Sequence, residues 1–339
     1  MTFTPVETFV GGLFLHLATS ELLTTTGRVV GISGIVDGAV NGEQEGWKWA
    51  IVGGLVAGPV VGSMAGLTNL LSKDALVTTG SIGIQRLTLA GALVGLGSKL
   101  GSGCTSGHML CGLSRLSPRS IIATAVFFAT AVVTTNLFPV FPSPDTPAYT
   151  LQSPSFEKTL GLLGLLVTFK VINMVTTAAI THSSSKIAHL TPYFVSGLTF
   201  SLGLGISGMT DPSKVVGFLC FSSPQSFDPS LALVMLGGVL PNAIHYASLV
   251  NKANGEPKPK FSWEKWRVPT NRNVSWRLLG GAAIFGIGWG LAGICPGPAL
   301  VSIGESIPLI GHDGFDSLFS KLGAFIGSML AGMFVAGRI

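Results

Sequence analysis

The sequence is short of charge. Only 10% of its 339 residues are Asp, Glu, Lys or Arg, while 47% are hydrophobic. Soluble domains carry about 25% charged residues, so this shortage over the whole length excludes an ordinary soluble fold. Removing the apolar runs leaves no soluble domain of useful size. The net charge of +5 is therefore not a nucleic-acid footprint. Cysteine is scarce too: four residues make no disulfide framework. The start, MTFTPVETFVGG, lacks the basic region of a cleaved signal peptide, so the first apolar run is expected to stay as a helix. GLGSKLGSG is no phosphate loop, because it lacks the GK[ST] ending after a strand. The apolar segments hold no paired carboxylates, which speaks against an enzyme. No cofactor is expected.

What remains is apolar and rich in glycine. A spanning helix needs about 20 apolar residues. Nine runs meet that need: 7–24, 47–70, 82–100, 118–140, 157–180, 187–205, 228–250, 276–292 and 317–337. Four shorter glycine-rich pieces, 29–41, 104–116, 206–220 and 294–307, are too short to cross. Irregular backbone at membrane depth is tolerated only where protein buries it or it lines a wet cavity. The expected fold is an all-α integral membrane protein with about nine transmembrane helices and four short re-entrant elements. Surface loops are the alternative for those four.

Parts of the chain recur. FVGGLFLHL at 9–17 resembles FVSGLTFSL at 194–202, and GISGI at 31–35 resembles GISGM at 205–209. Gly95, Gly97, Leu100 and Cys104 match Gly286, Gly288, Leu291 and Cys295. The halves are read as 1–140 and 187–339, with 141–186 as a linker carrying the connecting helix. Five crossings precede the second half, so it must be inverted. Basic residues favour an outer N-terminus and a cytoplasmic C-terminus. The loop 251–275 then lies inside with Lys48, Arg115, Arg119, Lys186, Arg277 and Arg338, against Lys73, Lys158, Lys321 and Arg86 outside. The proline-rich stretch 138–149 is then an outer loop.

GSGCTSGHMLCGLSR at 101–115 carries the chemistry. Its glycines permit unusual backbone and close ligand approach. As an α-helix it places Cys104, His108 and Cys111 on one face, with Thr105 and Ser106 offering hydroxyls at the helix start. Free N–H groups there attract anions. Pro296 and Pro298 suit a helix start after Cys295. Two cysteine-headed helix starts facing each other would form an anion constriction with soft walls. Cys220 has no repeat partner and reads as packing. Arg28 and Lys214 could attract an anion from outside, and Lys99 could hand it on; each could equally snorkel. Ser33 and Ser207, matched in GISG, are either ligand donors or small packing residues. His108 could instead bond a backbone carbonyl. A metal site of Cys104, His108, Cys111 and Cys295 stays chemically open, though the spacing fits no common zinc pattern.

GSGCTSGHMLCGLSRLSPRS resembles the sulfur-transport signature of the YeeE/YedE family. GLGISGMTDPSKVVGFL and FDPSLALVMLGG resemble the second half-module of that superfamily, here fused to the first. The resemblance implies a plasma-membrane or bacterial inner-membrane importer of thiosulfate or a related sulfur anion. It implies an hourglass of helices whose cysteines touch the ion through S–H···S contacts, with Cys104 and Cys295 as the signature cysteines. The family's cysteine near the outer entrance is missing; Ser33 lies in that region, and Cys111 could supply a thiol instead. Two alternatives stay open. One is a membrane sulfur-relay protein that forms a persulfide on Cys104 or Cys111. The other is a soft-metal transporter using Cys104, His108 and Cys111. The expected partners are the sulfur anion, membrane lipid and a candidate cytoplasmic sulfur-accepting protein, with no nucleic acid.

Overall fold

The computed structural model describes residues 2–42, 45–67, 75–141, 150–221, 227–253, 257–312 and 314–339. Lys73, the end of the second expected run (68–70), 142–149 of the proline-rich stretch and 254–256 of the basic loop lie outside them. In chain order the helices are α1 (Pro5–Thr26), α2 (Ile32–Val40), α3 (Gly46–Met64), α4 (Ala75–Ser81) and α5 (Ile84–Leu100), then a π-helix (Thr105–Gly112). There follow α6 (Pro118–Leu137), α7 (Phe156–Thr181), α8 (Thr191–Ser207), α9 (Pro212–Leu219), α10 (Ser230–Lys252), α11 (Trp276–Ala292), α12 (Pro296–Ser306) and α13 (Phe315–Ala336). The extended structure among the described residues is one pairing of Thr2–Phe3 with Thr150–Leu151.

Helices thus occupy all nine long runs and all four short pieces. The second run ends as helix at Met64, and α4 forms where a connection was expected. Among the described residues, seven helical stretches are long and apolar enough to cross a membrane: Pro5–Thr26, Pro118–Leu137, Phe156–Thr181, Ala188–Ser207, Ser230–Lys252, Trp276–Leu309 and Phe315–Ala336. Helix α5 has only 17 residues, and α3 is diluted by glycine, tryptophan and Pro59. The outer surface suits lipid. On α7, Leu160, Leu163, Val167, Val171, Met174 and Val175 are all exposed. An apolar face of that size would be a liability in water.

The packing has a two-way regularity. Helix α1 packs on α8, and α5 on α11. Helix α3 packs on α8 as α10 packs on α1; α13 packs on α5 as α6 packs on α11; α12 meets α13 as the π-helix meets α6. The repeated glycines are the reason. Lipid offers no hydrophobic drive between helices, so close backbone approach at small residues supplies the cohesion. A Cβ at Gly12 would lie 3.0 Å from the Cα of Gly237, and one at Gly54 would lie 3.0 Å from the Cα of Gly197. Gly12 and Gly197 are the matched glycines of the first repeat. In the other frame, Gly95 meets Met329 while its match Gly286 meets Phe127 and Thr130.

Candidate functional site

Cys104 and Cys295 occupy the same local position. Cys104 is the N-cap of the π-helix, with φ −121° and ψ −165°. Cys295 is the N-cap of α12, with φ −122° and ψ 172°. Each carbonyl accepts the first helical bond, from His108 N–H (2.9 Å) and Ala299 N–H (3.1 Å). Thr105 Oγ1 donates to Cys295 Sγ at 3.4 Å, which joins the two helix starts. Ser106 Oγ lies 3.2 Å from Cys104 Sγ and accepts from Ile32 N–H at 3.0 Å. The first turn of α2 is thereby tied to the same point. Either atom can donate in the Ser106–Cys104 contact, because a hydroxyl oxygen that accepts once keeps a second lone pair. Cys295 Sγ accepts from the Thr105 hydroxyl and keeps its own S–H for a ligand.

Both cysteines line a central cavity of about 70 Å³. Thr105, Ser106 and the α12 first turn at Gly297 and Pro298 share its wall. So do Met109, Met209 and Met235. The thioethers add soft, polarisable sulfur beside the two thiols. A reading by motif passes over these methionines, because each sits in an apolar run where core packing explains it equally well.

The structure separates other candidates from this cavity. The element 105–112 is π-wound, with i→i+5 bonding, so positions 104, 108 and 111 do not stack on one α-helical face. His108 Nε2 donates to the Gly101 carbonyl at 3.0 Å, which leaves Nδ1 to accept from Ser120 Oγ at 3.1 Å. It fastens the element to α6. Cys111 lines a different, smaller cavity with Ser114, Arg115, Asn242 and His245. Among the described residues no three His, Cys, Asp or Glu side chains gather as a metal site.

The GISG match does not survive as a structural equivalence. Ser33 is the second residue of α2, whereas Ser207 is the last residue of α8. Ser207 bonds the Leu204 carbonyl and packs on Gly11. With the starts of α2 and α9 in register, Ser33 pairs with Ser213 and Gly34 with Lys214. The glycines that end α1 and α8, Gly27 and Gly208, share a left-handed backbone, at φ 69° and 71°.

Arg28 and Lys214 cannot both serve one mouth, because they stand at opposite ends of α1. Lys214 is buried and donates to Thr4 Oγ1 at 3.1 Å, just before α1. Arg28 follows the far end, some 33 Å away for 22 helical residues. There it pairs with Glu264 at 3.4 Å and covers Trp47 at 4.3 Å. Tyr193 also donates to Glu264, at 2.5 Å. The strap 257–275 is hydrogen-bonded to this end of α1, through Lys260 to Thr24, Phe261 to Thr25 and Arg267 to Gly27. Arg28 therefore lies on the side of the basic loop, at the opposite end of α1 from Lys214. Arg28→Gln should cost roughly 2 kcal/mol of local stability, the worth of a charged hydrogen bond. It should speed proteolysis within 257–275 and leave the half-saturation of uptake unchanged; a raised half-saturation with unaltered cleavage would restore a role in capture.

Lys99 stands on the same side as Arg28 and the chain's end, near Gly337. It pairs with Asp37 of α2. Ser33, Ser98 and Ser102 share a second cavity with this pair. Ser33 thus stands on the side of the α1 C-terminus, not at the mouth where an entrance cysteine would sit if the N-terminus is outside.

Lipid-suited helices around an internal cavity, walled in part by the starts of the π-helix and α12, suit an integral membrane transporter. Comparison with known proteins gives the family. Residues 4–133 match the sulphur transport family, and residues 188–337 match a family of unknown function, DUF6691. A probable transporter of Xylella fastidiosa strain Temecula1 is 39% identical over 132 residues, 39% of this chain and 93% of that relative. Another from strain 9a5c is 34% identical over 145 residues, 42% of this chain and 86% of that relative. The chain belongs to the sulphur transport family, with a second module fused behind the first.

Proposed function

We propose that this protein imports thiosulfate or a related sulfur anion, with Cys104 and Cys295 as the thiol donors of the constriction. The observation that carries this reading is the pair of cysteine N-caps with one backbone geometry, joined through Thr105 and walled by methionine sulfur. Thiosulfate has a soft terminal sulfur and two charges. Stripping its water all at once would be prohibitive, but S–H, O–H and helix N–H donors can replace it stepwise. Neutral thiols donate, whereas thiolates would repel a dianion. In this reading nine helices cross, and α2, the π-helix, α9 and α12 are re-entrant. The repeats are 1–140 and 187–339, joined by 141–186 and related by inversion. The exchange of packing partners between the halves supports that. The N-terminus is outside, and the strap and C-terminus are cytoplasmic.

The persulfide relay draws less support. Cys104 and Cys111 are both buried, and a relay needs a sulfur that an acceptor protein can reach. Uptake of isotopically labelled thiosulfate into proteoliposomes decides the matter. Saturable uptake, competed by excess unlabelled thiosulfate, is the expected result. Absence of uptake, with one added sulfur on Cys104 or Cys111 by mass spectrometry, would favour the relay.

A further inference from the structure

The two cavities differ in chemistry. The central one offers thiols and thioethers. The second, of about 330 Å³, offers oxygen-liking groups: Lys99 and the hydroxyls of Ser33, Ser98 and Ser102. Ser33 Oγ is buried without a hydrogen-bond partner, on a residue only 3% exposed. Leaving a buried hydroxyl unpaired is costly, so something polar is expected to reach it. Ser102 sits between two glycines with φ 59°, a left-handed conformation that serine seldom adopts. Its hydroxyl accepts from Arg119 at 3.2 Å, which brings a guanidinium to the rim. Gly34, one residue from Ser33, faces open space, with nothing within 4 Å of a Cβ placed there.

The one acidic group on this wall is Asp37, a turn along α2 from Ser33. One of its oxygens accepts from Lys99, the other from Asn41 Nδ2 at 3.2 Å. Asp37 therefore occupies the ammonium that an incoming anion would want. An anion must displace the carboxylate, and the carboxylate can reclaim the lysine afterwards. That exchange suits a station on a path, because a site that bound too well would not let its ion go.

We propose that this cavity is a second, oxyanion-selective station, where Ser33, Ser102 and Lys99 take the oxygen end of a tetrahedral anion and Asp37 acts as the competing counter-ion that forces release. Its place in passage rests on the transport reading; its ability to bind does not. The central cavity selects for soft sulfur, and this station then recognises the hard sulfonate end of the same ion. Sulfate is a fit probe, because it presents oxygen to the station and no sulfur to the thiols.

The test is titration of sodium sulfate into the purified full-length chain, followed calorimetrically, beside thiosulfate uptake in proteoliposomes. Sulfate should bind the wild type. Asp37→Asn should bind it about tenfold more tightly, and Lys99→Gln about ten- to hundredfold more weakly, as expected for hydrogen bonds to charged groups. Ser33→Ala should weaken it by roughly threefold to tenfold. It changes no charge, so it still reports if a charge variant misfolds. Cys220→Ala should leave sulfate binding as it was, since Cys220 caps α9 and lines neither cavity. In uptake, Asp37→Asn should lower half-saturation and maximal rate together, because release is slowed. Absence of sulfate binding even in Asp37→Asn, or binding indifferent to Asp37, Lys99 and Ser33, would overturn the station while thiosulfate uptake could stand. Sulfate binding that follows these residues, with no thiosulfate uptake by the wild type, would leave the station and remove the proposed substrate.

Discussion

Cys104→Ala and Cys295→Ala should each lower thiosulfate uptake ten- to hundredfold, and the double variant should reach background. In the proposed role each thiol donates to a charged ligand, and such a hydrogen bond is worth roughly 1.5–3 kcal/mol. The protein should stay folded, because each cysteine is an N-cap whose backbone bonds do not need the sulfur. Cys104→Ser and Cys295→Ser sharpen the test. Serine keeps a donor of similar size but loses polarisability, so uptake should stay impaired if sulfur contact matters. Cys220→Ala should transport normally, since Cys220 caps α9 apart from both thiols. Cys111→Ala should come close to it, given the separate cavity that Cys111 lines. Full uptake by Cys104→Ala/Cys295→Ala at wild-type abundance would falsify the thiol constriction.

The long helices were legible because length and apolarity are sufficient cause for them in a membrane. The cysteine frame was legible because its glycines recur at fixed spacing, and those glycines turn out to be the close crossings Gly95–Met329 and Gly286–Phe127. GISG misled for a physical reason. From Gly12 to the left-handed Gly27 is 15 residues, and from Gly197 to Gly208 is 11, one turn fewer. The repeat therefore slips between the two markers, and a four-residue match of small and apolar types fell at the wrong place. Reading Arg28 and Lys214 as partners at one mouth also conflicted with inversion itself, which sends matched positions to opposite faces. Other features left no local trace. The π-winding of 105–112 has no signature in the local sequence, and Gly112 at its end lies close against Ser120. The Arg28–Glu264 pair joins residues 236 apart. Asp37 and Lys99, 62 residues apart, meet only where α2 packs on α5.

The same substitution at two glycines should fail in two different ways. At Gly286, leucine meets backbone. A Cβ there would overlap the Phe127 carbonyl and Thr130 Oγ1, where α11 crosses α6. Overpacking a well-packed contact costs about 1–3 kcal/mol and more when backbone must move. Gly286→Leu should therefore yield little monodisperse protein from the membrane. At Gly34, leucine meets empty space and should also favour α2, since glycine inside a helix costs about 1 kcal/mol relative to good helix formers. Gly34→Leu should be recovered at wild-type yield and melt no lower than wild type. Yet it should take up almost no thiosulfate and bind no sulfate, because its side chain fills the cavity beside Ser33 and Lys99. Size-exclusion profiles, melting curves and uptake on the two variants separate the cases. Normal uptake by a well-folded Gly34→Leu would take the second cavity off the path, whatever the cysteines do. A stable Gly286→Leu would mean that α6 and α11 can part at this crossing, and that the repeated glycines mark a movable contact.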